Sequence, residues 1–237
     1  MKKLGDKAPA MLSIAVDVQG PEWPSRYVKE FAVTYPVVVD RANIFAGAVL
    51  GRRVIPLWSL LDENGVLMAS RAAGPGRKTF QTLETLLARP PVPVGKGGPA
   101  GGGTRRDFEE SVRAHPKNLG AWVGLIQAVL RSDGLAAADA TANEALEALP
   151  EEKTLYMIRA DLALRRGDKG RALAALKAGL ELDPEDWLIH KQIWCVEHPE
   201  RFYEGGVDDG WQRKTIQDER SRKRKDCIKN PKKSRDS

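Results

Sequence analysis

Cysteine is nearly absent. Cys195 and Cys227 are the only thiols in 237 residues, and 32 positions separate them. Two such residues make neither a disulfide framework nor a metal-ligand cluster, and they fit a reducing compartment. Histidine is equally sparse. His190, Cys195 and His198 do not share one helical face, so no metal site and no cofactor are expected. Long apolar runs are missing too: none approaches the roughly 18 residues of a membrane span. The opening MKKLGDKAPAMLSIAVD has lysines but no apolar h-region, so it does not read as a signal peptide. A cytoplasmic setting is expected. Net positive charge is confined to one place. Residues 213–237 carry 11 Lys or Arg against 4 Asp or Glu; the rest carries 27 against 28, so the net +6 belongs to the tail.

What is present falls into two parts. Residues 89–106, RPPVPVGKGGPAGGGTRR, are mostly Pro, Gly and small residues and read as a linker. Before it, residues 11–18 read as a buried strand. Residues 24–35 read as a helix with Tyr27, Val28, Phe31 and Ala32 on one face. Val37–Val39 is a short β-branched run, and residues 42–50 a short helix. Leu57–Leu61 and residues 66–70 are strands around Asn64-Gly65, a hairpin signal. Residues 78–88 close with a helix carrying Phe80, Leu83 and Leu87. The order is βα–βα–ββα, an α/β pattern.

After the linker the signal is helical only. Pro116, Pro150 and Pro184 lie 34 residues apart, as do Trp122 and Tyr156, Ala138 and Ala172, and Ala145 and Gly179. This period of helix pairs resembles tetratricopeptide repeats. The first unit departs from that pattern at Ile126, where a small residue is usual, and at Gly134, one place late. Residues 187–196 would cap the array. The expected organisation is a partial domain over 1–88, a linker over 89–106, helical repeats with their cap over 107–212, and a basic disordered tail over 213–237.

The first part carries IAVDVQGPE (14–22), TYPVVVD (34–40), RRVIPLWSLLDENGVL (52–67) and Gly74. In this order they resemble the redoxin branch of the thioredoxin-like superfamily, which includes peroxiredoxin-like antioxidant proteins and thiol–disulfide oxidoreductases. The resemblance implies that Ile55 and Pro56 form the cis-proline loop. It also implies a cysteine-bearing strand and helix before residues 11–18, where only ten residues stand. A parallel crossover needs more chain than that. The fold class expected is therefore an α/β thioredoxin-like partial domain followed by an all-α helical repeat domain. A central strand would be missing, and open sheet edges invite self-association.

Cys195 with His198 could form an activated thiol; the alternative is a small buried hydrophobe beside Trp194. Asp17, Asp40 and Asp62 could mark an active-site rim; the alternative is helix capping and turns. No catalytic residue is assigned. By resemblance to the repeats, Gln127, Arg131, Asp161 and Arg165 would line a peptide-binding groove, with the two arginines in phase. The alternative is a solvated face with Asp161 and Arg165 as an i,i+4 pair. The basic tail lacks interleaved aromatics for base stacking, so nucleic acid is not the expected partner. The expectation is a bacterial binding module of thiol–disulfide or peroxide reductase ancestry, redox-inactive as written, with a protein or peptide partner. The alternative is a fragment of a cytoplasmic thiol-dependent oxidoreductase whose cysteine segment lies upstream.

Overall fold

The computed structural model describes residues 10–45, 57–62, 67–72, 85–90, 103–203 and 208–229. Ile55, Pro56 and Gly74 lie outside them, as do most of the linker and of the helices expected at 42–50 and 78–88. The chain divides into two compact units, residues 1–193 and 194–237. It is a small α/β part followed by a larger helical one.

In the α/β part, β1 (Ser13–Ala15) runs parallel to β2 (Val37–Val39), with Ile14 opposite Val38. The crossover between them contains α1 (Glu22–Glu30). A hairpin of β3 (Leu57–Leu61) and β4 (Leu67–Ala72) forms a separate antiparallel sheet, with an irregularity at Leu60/Leu61. Among the described residues each sheet has two strands.

Two elements are shorter than their patterns predict. The strand expected over 11–18 keeps three residues, and Leu12 is 56% exposed. The helix expected over 24–35 stops at Glu30, and Ala32 takes φ +45°. Val33 and Thr34 are β-branched, and Tyr35 precedes Pro36, which disfavours helical backbone. The apolar face expected of this helix is not buried: Phe31 is 67% exposed, and its ring stacks on that of Tyr27 at 6.3 Å.

Helix α2 (Arg105–Ala114) begins with a capping box in which Thr104 and Asp107 each accept the other's backbone N–H. Helical structure therefore starts inside the segment read as linker. Then come α3 (Leu119–Ser132), α4 (Leu135–Ala148), α5 (Lys153–Arg165), α6 (Lys169–Leu182) and α7 (Trp187–Glu197). Helices α3, α5 and α7 start 34 residues apart, as do α4 and α6. The equivalences reach single atoms. Trp122 Nε1 donates to the Pro116 carbonyl at 2.8 Å, and Tyr156 Oη to that of Pro150 at 2.9 Å. His190 Nε2 lies 2.9 Å from the Pro184 carbonyl. Each ring pins the start of its own helix to the proline six residues back.

Small residues set the closeness of the helix pairs. Ala138, Ala142, Ala145 and Ala172 are fully buried. A Cβ at Gly179 would stand 3.0 Å from Tyr156 Cβ, so glycine lets α6 approach α5. Ile126, the large residue in a small-residue position, is completely buried in its own repeat. The turn between α5 and α6 uses Gly167 at φ +77°. Lys153 Nζ reaches Asp183 Oδ2 at 2.7 Å and Asp186 Oδ2 at 2.6 Å, tying α5 to the α6–α7 turn. Burial alone would lower this ammonium's pKa. The bonds to the two carboxylates outweigh burial and hold it above the ordinary lysine value.

In the second unit, α8 (Glu200–Tyr203) precedes α9 (Asp209–Lys229). The stretch read as disordered from residue 213 is thus helical as far as Lys229. Trp211 to Lys229 contains no Gly or Pro, and Asp218/Arg222 and Glu219/Lys223 stand at favourable i,i+4 spacing. Trp211 packs edge-on against Trp194, His198 and Phe202, with centroids 5.7, 5.2 and 6.2 Å away. Among the described residues, no helix is long and apolar enough to cross a membrane.

Candidate functional site

The loops after β1 and β2 leave the carboxyl ends of two parallel strands. In open α/β sheets that end is where ligands bind. Asp17 Oδ1 accepts the Gln19 N–H at 2.9 Å and its carbonyl accepts the Gly20 N–H at 3.1 Å, closing the first loop. Asp40 accepts the N–H groups of Ile44 and Phe45 at 2.8 and 2.7 Å, ordering the second. Both aspartates thus shape turns, the plainer of the two readings their positions allow.

These loops meet the helices. The Val18 N–H donates to Gln192 Oε1 on α7 at 2.9 Å, and both residues are buried. Arg41 Nε donates to Asp161 Oδ1 on α5. Gly20, at φ +103°, makes this approach possible: a Cβ there would stand 2.2 Å from the Arg41 guanidinium. Asp161 is 5% exposed. Arg165 Nε also reaches it, 3.0 Å from each carboxylate oxygen. One buried carboxylate thus holds two guanidiniums, one from each part of the chain.

Of the four residues expected in the groove, Asp161 and Arg165 come together as an i,i+4 pair. Gln127 is half-buried and Arg131 exposed, both on α3. Arg41, Gln192 and the Val18 amide complete the site, and sequence spacing does not reveal them: 120 positions separate Arg41 from Asp161, and 174 separate Val18 from Gln192. Asn43 lies in the same loop as Arg41. It is 1% exposed, and neither atom of its carboxamide has a hydrogen-bond partner. A buried unsatisfied amide costs about 1–3 kcal/mol.

Cys195 is buried on α7. The His198 Nδ1 lies 3.6 Å from Glu200 Oε1, and its ring packs against Trp211. The side chain of Cys227 lies outside the described residues. Among the described residues no group of three or more His, Cys, Asp or Glu could hold a metal ion. No family model and no curated protein matches the chain.

Proposed function

We propose that this protein is a binding module for protein or peptide partners, with a tetratricopeptide-type helical scaffold and a redoxin-like α/β part. The observation that carries this is the pair of contacts on α5 and α7. Gln192 accepts a main-chain N–H and Asp161 accepts an arginine. These are the two bonds by which a helical surface holds a basic peptide segment. In the described chain the N–H comes from the loop after β1 and the arginine from the loop after β2. A partner would present a basic residue to Asp161 and a free backbone N–H to Gln192.

The Asp161 contact is tested with a labelled peptide of residues 36–45, titrated into a fragment of residues 103–229 and followed by fluorescence anisotropy. Saturable binding is expected. Asp161→Asn should weaken it about tenfold, since a charge-assisted hydrogen bond contributes about 1.5–3 kcal/mol. Equal binding by the variant, or none by the parent fragment, would overturn the reading.

Thiol chemistry has no part in this function, although the redoxin resemblance points to such an ancestry. Cys195 is buried, and an attacking thiolate needs access. The full chain is expected to show no dithiol-dependent insulin reduction and no peroxide turnover. Turnover that disappears in Cys195→Ser would instead make that thiol a nucleophile.

A further inference from the structure

Helices α4, α5 and α6 enclose a polar cleft of about 260 Å³, lined by Asp139, Arg159, Arg166, Asp168 and Arg171. It is separate from the Asp161 site and uses none of that site's residues. Three guanidiniums face two carboxylates here, and neither carboxylate satisfies them. Asp168 is the N-cap of α6, its Oδ1 accepting the Arg171 N–H at 2.9 Å. Asp139 shares a single oxygen between Arg166 Nη1 at 3.3 Å and Arg171 Nη2 at 3.5 Å. Charge-assisted pairs of this kind usually close to about 2.7–2.9 Å, so both contacts are long.

The third arginine stands alone. Arg159 is half-buried on α5 and has no hydrogen-bond or ion-pair partner among the described residues. Its guanidinium charge is drawn partly out of water, and no carboxylate among the described residues pairs with it to offset the desolvation. The first turn of α6, a helix of 14 residues, adds the positive end of its dipole to the same space. The cleft therefore has a net positive charge and directional N–H donors. Its volume is below the roughly 300 Å³ at which drug-sized ligand pockets begin. That suits a small oxyanion and not a nucleotide.

We propose that this cleft binds a phosphoryl group, with Arg159 as the primary donor and Arg166 and Arg171 turning from Asp139 to the anion. A tetrahedral dianion offers enough acceptor oxygens for all three forks, and guanidinium geometry matches it. The phosphoryl group could come from inorganic phosphate or from a phosphorylated side chain.

The test uses the full chain at constant ionic strength, titrated calorimetrically with inorganic phosphate and, separately, with O-phosphoserine. Saturable binding is expected. Arg159→Gln should weaken it at least about tenfold. The same substitution should leave the melting temperature in chloride nearly unchanged, because Arg159 has no hydrogen bond or ion pair to lose among the described residues. Asp139→Asn should tighten binding by removing the competing carboxylate, which a purely structural ion-pair network would not do. Tighter binding of O-phosphoserine would assign the source to a modified side chain, and equal binding to the free ion; both uphold the site. No saturable heat at that ionic strength, or an Arg159→Gln response equal to the parent's, would overturn it.

Discussion

Asp161→Ala is expected to destabilise the protein by about 3 kcal/mol, because breaking a buried ion pair leaves the remaining charge uncompensated. Here two guanidiniums are left. Arg165 is over a third exposed and can turn to water, whereas Arg41 is mostly enclosed. The loss should therefore fall on the α/β part. Hydrogen exchange should quicken at the Val18 amide and through residues 13–45, while α3 to α6 keep their protection. Arg165→Ala should cost no more than about 0.5 kcal/mol, as exposed i,i+4 pairs do. Arg41→Ala combined with Asp161→Ala should be less harmful than the sum of the two, since the pair is then removed as a pair. Urea denaturation of the parent, the three single variants and the double variant measures this. A cost below about 1 kcal/mol for Asp161→Ala would mean that the loops are held by other contacts and that the carboxylate is incidental.

The second large effect is expected when residues 1–90 are made alone. That fragment should be a dimer, an aggregate or a molten state, and not a cooperatively folded monomer. Each of its two described sheets has only two strands, and an isolated pair of strands is marginally stable at best in water. Helix α1 buries none of its residues, and Leu12, Phe31, Val38, Leu61 and Leu67 are all exposed. Separation also removes the bonds from Gln192 and Asp161. Unpaired strand edges with apolar side chains on them will pair with another copy. Light scattering gives the mass and hydrogen exchange the order. A monomer with slowly exchanging amides in β1 and β2 would show that the small sheets are sufficient by themselves.

The two parts were not equally legible. The helical starts at residues 119, 153 and 187 follow from a period already visible in three prolines and two aromatic residues. Local chemistry is enough there, because each repeat contacts its neighbours in sequence. Short-range signals also revealed the hairpin, β2 and the turn roles of Asp17 and Asp40. The length of α1 was misjudged because its apolar spacing continued past Glu30, while Val33, Thr34 and Pro36 opposed helix. Residues 213–229 depart from expectation for the opposite reason. Their charge suggested a solvated coil, but their freedom from Gly and Pro and their i,i+4 pairs favour helix. The meeting of Arg41 with Asp161 was invisible, since no periodicity connects a loop of one part to a helix face of another.

The ring-to-proline bonds have a consequence for what counts as a repeat in this chain. Indole, phenol and imidazole occupy the same post at residues 122, 156 and 190, and each reaches the carbonyl of the proline six residues back. The position selects for the reach of one polar hydrogen, with little regard for the side chain that carries it. In two of the three groups that hydrogen sits on the one polar atom of the side chain. The third is a histidine, which can donate from Nε2 only as the Nε2–H tautomer or the imidazolium. The last of these three helices is thus fastened by the one clasp in the series whose proton can be moved between two nitrogens.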